Sequence, residues 1–211
     1  LKSTIREVIK EHTNQNKIKY FFLLLSLITG IAAGAVFVSA LPAEKSSELL
    51  KIIKSYLEIS TINKIPPLEI FKTSLLQNAR IVILIYFCSL SVYLIPIIYI
   101  NMAARGFVTG FTVGFMALFF GFKGFLVAVV TVLPQIIISI PALLFMSTIS
   151  MNYAVNGRSK NKIGILTSAN KKEFLMFTYC SVIIFLVLLI TVTIDAFAVP
   201  IFVKLISGVF G

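Results

Sequence analysis

Five runs of about twenty apolar residues, at 20–40, 81–100, 102–122, 125–149 and 174–194, follow one another along the chain. A helix rises about 1.5 Å per residue, so each run is long enough to cross a hydrocarbon core roughly 30 Å thick. The pattern predicts an all-α polytopic bundle of five transmembrane helices, with residues 1–211 forming one membrane domain. The first run is too long and begins too far along the chain to read as a cleaved leader, so it counts as a span. Residues 41–80 follow a different rhythm. Leu49, Ile52, Ile53, Tyr56 and Leu57 recur at helical spacing, with Lys45, Glu48, Lys51, Lys54 and Glu58 on the other face. That predicts an amphipathic helix from Glu44 to Ile59, with Pro42 and Glu44 suiting its start and Pro66 and Pro67 ending it. A second amphipathic piece, 68–76, leads into span two at Asn78, Ala79 and Arg80; Pro96 falls inside that span. Residues 1–19 predict a short surface helix, 150–173 a basic mobile loop, and 196–211 a tail too short to cross, lying along the membrane surface.

Inside the spans, small residues stand four apart. Ser26, Gly30 and Gly34 form one seam, and Gly106, Gly110 and Gly114 another, beside a ridge of Phe107, Phe111 and Phe115. In water such glycines weaken a helix by ~1 kcal/mol each. In lipid, the same residues let two backbones approach closely, within one subunit or between two, so a homodimer is an alternative the seams leave open. The fourth span carries Pro134, Gln135 and Pro141. Gln135 falls about 15 Å from the start of its run, near the bilayer centre. There it reads either as an interhelical hydrogen-bonding group at a kink or as a polar site in a permeation path. Arg80 and Arg105 are placed where they can snorkel to the headgroups.

Composition removes whole classes of function. With 58% hydrophobic and 13% charged residues and a mean hydropathy of +1.00, the chain lies far from the soluble norm of roughly a quarter charged. The net charge of +11 is spread over ends and loops, so it argues for topology and attraction to anionic lipids, not for a nucleic-acid partner. Counting cations predicts a cytoplasmic N-terminus and an extracytoplasmic C-terminus, with 41–80 outside and 150–173 inside. Cys88 and Cys180 both fall in spans and read as small buried hydrophobes. His12 stands alone in sequence and reads as solvated. There is no nucleophile with a base, no paired carboxylates, no HExxH and no phosphate-binding loop, so neither enzyme activity nor a metal or cofactor is expected. From the residues alone the chain is a scaffold or the permease subunit of a transporter.

The run from Arg105 to Phe115, the Gly121-Phe122-Lys123-Gly124-Phe125 turn, and the segment from Leu133 through Pro134 and Gln135 to Ala142 resemble the stage II sporulation protein M family. So do the Asn78-Ala79-Arg80 triplet and the five-span layout. The resemblance implies a non-enzymatic component of the engulfment machinery of endospore-forming bacteria, in the mother-cell membrane at the septum. It would recruit two peptidoglycan-degrading partners, an amidase/endopeptidase and a lytic transglycosylase, for septal thinning and membrane migration. On that reading the outer helix becomes a docking surface, with Leu49, Ile53, Tyr56 and Leu57 as its contact residues.

Overall fold

The structure, a computed structural model, describes residues 2–62, 67–159 and 168–210; within them the side chains at 2–6, 8–9, 53–62, 67, 127, 157–159, 168–173, 195 and 198–210 are left undescribed. The described chain is all helix: α1 (Lys2–Gln15), α2 (Lys17–Ser39), α3 (Ala43–Ile62), α4 (Pro67–Cys88), a short 3-10 turn (Val92–Leu94), α5 (Ile95–Ser159) and α6 (Ser168–Phe210). Five segments are long and apolar enough to cross a membrane: 17–39, 68–88, 92–126, 128–156 and 174–194. The protein is thus an all-α polytopic membrane bundle.

The second span is corrected. Instead of one helix over 81–100, the lead-in and the first part of that run form a single helix, α4, of 22 residues. The polar triplet at 78–80 does not interrupt it, because Asn78 turns its amide onto its own helix and donates from Nδ2 to the Ser74 carbonyl at 3.0 Å. The break comes later, where Ser91 is extended (φ −143°, ψ 136°) before the 3-10 turn. Pro96 then sits in the first turn of α5, where a missing N–H leaves no hydrogen bond unmade.

α5 is two arms joined at Gly121, whose φ of 63° and ψ of −152° lie in a region almost reserved for glycine. The chain doubles back there, so Gly124 lies against the Met116 carbonyl and the Phe120 Cβ. The expected tight turn is therefore a single residue. The second arm stays helical in its backbone dihedrals through Pro134 and Pro141, and Gly121 is the non-helical point of α5.

Two loops also differ. Helix occupies 150–159 and 168–173 of the expected basic loop, while 160–167 lie outside the described residues. The expected surface tail continues α6 without interruption to Phe210. A buried cluster that includes Leu23, Leu27, Ile85, Ile98, Met102, Leu143 and Leu188 joins α2, α4, α5 and α6. Phe21, Ile28, Leu118 and Ile190 stay exposed on the outside, as lipid-facing residues do.

Candidate functional site

The first arm of α5 lies along α2 with backbone close to backbone. Any side chain at Gly30 would overlap the Ala103 carbonyl, one at Gly110 would come within 2.8 Å of the Ile31 Cα, and one at Gly34 within 2.8 Å of the Phe111 nitrogen. Gly106 faces Leu27 and Ile31, and Gly114 faces Ala35 at 3.1 Å. Residue numbers rise together on both helices, so the two run parallel. The two seams meet each other inside one subunit, which answers the question that their spacing leaves open. Ser26 continues this face half-buried. The phenylalanine ridge flanks the seam: Phe107, Phe111 and Phe115 stack at 6.3 and 6.0 Å, and Phe37 of α2 closes on Phe107 at 5.5 Å.

The second arm meets α4 and α6 differently. The Ser150 hydroxyl donates to the Ile85 carbonyl of α4 at 2.9 Å, and beside it Tyr86 of α4 and Thr178 of α6 share a hydrogen bond with each other at 3.0 Å. Phe177 is stacked between Tyr86 (5.2 Å) and Tyr153 (4.9 Å). Among the described residues, four buried polar atoms find no partner: Asn78 Oδ1, Asn101 Nδ2, Ser139 Oγ and Ser147 Oγ. Gln135 and Pro134 are half-buried and Pro141 is exposed.

At one end of the bundle α1 is pinned by groups distant in sequence. The His12 ring packs on Phe145 (5.0 Å between centroids), and its Nδ1 lies 3.4 Å from the Tyr20 hydroxyl. Lys19 Nζ donates to Asn152 Oδ1 and to Asn16 Oδ1. His12 is therefore half-buried, contrary to the expectation of a solvated residue. Burial, and then the Lys19 charge, lower its pKa below the ordinary histidine value. Nothing in the local sequence announces this, since Phe145 and Asn152 arrive from the far end of α5.

At the opposite end α3 packs on α6. Leu49 and Leu50 are half-buried and Ile52 is exposed, whereas the side chains of Ile53, Tyr56 and Leu57 lie outside the described residues. Among the described residues no cluster of three or more His, Cys, Asp or Glu is placed to hold a metal ion. Both cysteines are free.

In comparisons with known proteins, the family described as Stage II sporulation protein M matches residues 22–200. No curated protein and no solved structure matches the chain.

Proposed function

Because the chain belongs to the stage II sporulation protein M family and is a sporulation-related membrane protein, we propose that it serves as a non-enzymatic scaffold of engulfment. In this reading it anchors an amidase/endopeptidase and a lytic transglycosylase at the septal mother-cell membrane. The observation that carries the reading is the helical mass beyond the spans. α3 is a 20-residue helix outside them, and α6 has 43 residues although its apolar span covers 174–194. Helices of that length offer a surface for partners in the wall space, and Leu49, Ile53, Tyr56 and Leu57 are its proposed contacts.

The orientation belongs to the same proposal. Lys19 meets Asn152, so the start of α2 and the end of α5 share one side of the membrane. In sequence that side carries Lys2, Arg6, Lys10, Lys17, Arg158, Lys171 and Lys172, the bias of a cytoplasmic face. α3 and the end of α6 then stand outside the cell membrane. The test is co-purification of the full chain with both hydrolases from sporulating cells. Leu49→Asp with Ile53→Asp should cut recovery by about tenfold or more while the protein remains monodisperse. Unchanged recovery would defeat the proposal.

A second reading, a permease subunit, draws on the unpartnered polar atoms of Asn78, Asn101, Ser139 and Ser147 inside the bundle. Solute flux in proteoliposomes containing the purified chain would favour it, and its absence alongside hydrolase recovery would favour the scaffold.

A further inference from the structure

α4 presents two unlike faces. Asn78, Val82 and Ile85 are buried against the bundle. On the opposite side Lys72, Thr73, Gln77 and Arg80 are exposed, and they share one stripe because residues three and four apart on a helix lie on one face. The exposed Leu76 interrupts that stripe, Glu69 stands exposed one turn before Lys72 and Thr73, and the last two turns are apolar, at Ile83, Leu84 and Phe87.

Depth makes this stripe unusual. Lys19 of α2 meets Asn152 of α5, and Ser150 of α5 meets Ile85 of α4, so the end of α4 near Phe87 is level with Lys19. Arg80 then lies seven residues from that level, ~10 Å, and Gln77 ~15 Å, close to the middle of a ~30 Å core. A charged or amide side chain facing hydrocarbon at such depth is costly and marks a functional site by default. Arg80 can snorkel toward the near headgroups, and Lys72 and Thr73, ~21 to 22 Å from that level, lie within ~10 Å of the far ones, so Gln77 is the group furthest from both. Among the described residues, Arg80 has no hydrogen-bond or ion-pair partner.

We propose that the Lys72-to-Arg80 stripe of α4 is an intramembrane docking surface for a spanning helix of a different protein, one that carries a carboxylate level with Arg80. Charge complementarity selects that occupant. The eight acids of this chain are Glu7, Glu11, Glu44, Glu48, Glu58, Glu69, Glu173 and Asp195. None falls in the middle of a span; Glu69, Glu173 and Asp195, the nearest, stand at span ends. A second copy therefore has no carboxylate to offer Arg80 at its depth. The partner's acid would pair with the guanidinium, and its neighbours would hydrogen-bond Gln77 and Thr73 in place of lipid.

The interface extends the scaffold reading, on which it rests only for the partner being a wall hydrolase. The experiment places a photo-crosslinking amino acid at position 77 of the full chain in sporulating cells, with position 28 on the lipid side of α2 as control, and sequences the adducts. The expected result is an adduct at 77 alone, with a membrane protein whose span contains Asp or Glu. Its yield should fall about tenfold or more in Arg80→Leu, survive in Arg80→Lys, and return when Arg80→Glu meets a partner whose acid is replaced by Arg. Arg80→Leu removes a charge from a lipid-facing position, and a monodisperse elution profile separates lost docking from lost folding. Adducts with lipid only, adducts with a second copy, or a yield indifferent to Arg80→Leu would overturn the proposal. A crosslinked partner that obeys the charge exchange but is no hydrolase would defeat the scaffold reading alone. Hydrolase recovery that persists in Arg80→Leu, with no adduct at 77, would defeat this interface alone.

Discussion

Where the first arm of α5 meets α2, backbone lies on backbone; where the second arm meets α4 and α6, side chains bridge the gap. The first contact contains Gly30, Gly34, Gly106 and Gly110 set against main-chain atoms of the facing helix. The second contains the Ser150 and Tyr86 hydrogen bonds and the Tyr86–Phe177–Tyr153 stack. Lipid supplies no hydrophobic drive between helices, so each contact needs its own source of attraction. The seam draws on dispersion at short range, which has no slack for an added atom. The polar contact draws on separate bonds that can be removed one at a time. One half of the bundle should therefore fail abruptly when altered, and the other by degrees.

The largest effect is expected at the seam. Gly110→Leu and Gly34→Leu place a side chain where the opposing backbone already is, and main chain cannot rotate aside as a side chain can. Each should cost more than about 3 kcal/mol and abolish a monodisperse peak in detergent. Retained thermal stability in either variant would mean that the two helices are not held at this distance. Gly121→Ala follows in size and sharpens the contrast. Nothing lies within 4 Å of a side chain there, so any loss is purely conformational, of order 1–3 kcal/mol. A melting temperature equal to the parent's would show that the reversal tolerates an ordinary backbone.

The polar contact should respond in smaller steps and with differing sign. Ser150→Ala removes an interhelical bond and should cost about 0.6 to 1.7 kcal/mol. Ser147, three residues earlier, buries a hydroxyl without a partner, so Ser147→Ala should be neutral or stabilising. Equal losses in the two variants would mean that Ser147 has an acceptor after all, and the comparison would lose its chemical basis.

What could be read from the sequence divides along the same line. The four-residue spacing of Gly30 and Gly34, and of Gly106 to Gly114, makes both seams visible, because close approach needs that spacing whatever the partner. Spacing does not name the partner, and only the structure shows each seam using the other. Gly121 is legible as a turn because a short polar link between apolar runs leaves little alternative. The second span is misplaced for an equally physical reason. Asn78 and Arg80 depress local hydropathy, which puts the membrane boundary at a point where the helix continues, while Ser91 and Pro96 mark the true break. The polar contacts are not legible at all, since Ser150 and Ile85, or His12 and Phe145, come together only through the fold.

The smallest effect concerns how α1 is held. His12 packs on Phe145 with Nδ1 near the Tyr20 hydroxyl, and the charge facing it from α2 is Lys19. On its own helix Glu7 and Glu11 are exposed, with Glu11 accepting a hydrogen bond from Gln15. Burial and the Lys19 charge both disfavour the imidazolium, so the docked state has the lower pKa and binds fewer protons than the released one. By linkage, the stability this contributes is fully present above the ordinary histidine value of about 6.5 and declines as pH falls through the lowered one. The protection factors of the α1 amides, which remove the intrinsic slowing of exchange in acid, should therefore fall on acidification below about pH 6.5, and His12→Asn should remove that dependence while the protection of Gly110 and its neighbours stays as before. Protection that rose instead would mean the imidazolium is favoured in place, through Glu11 outweighing Lys19, and α1 would be held by an ion pair and not by the Phe145 face.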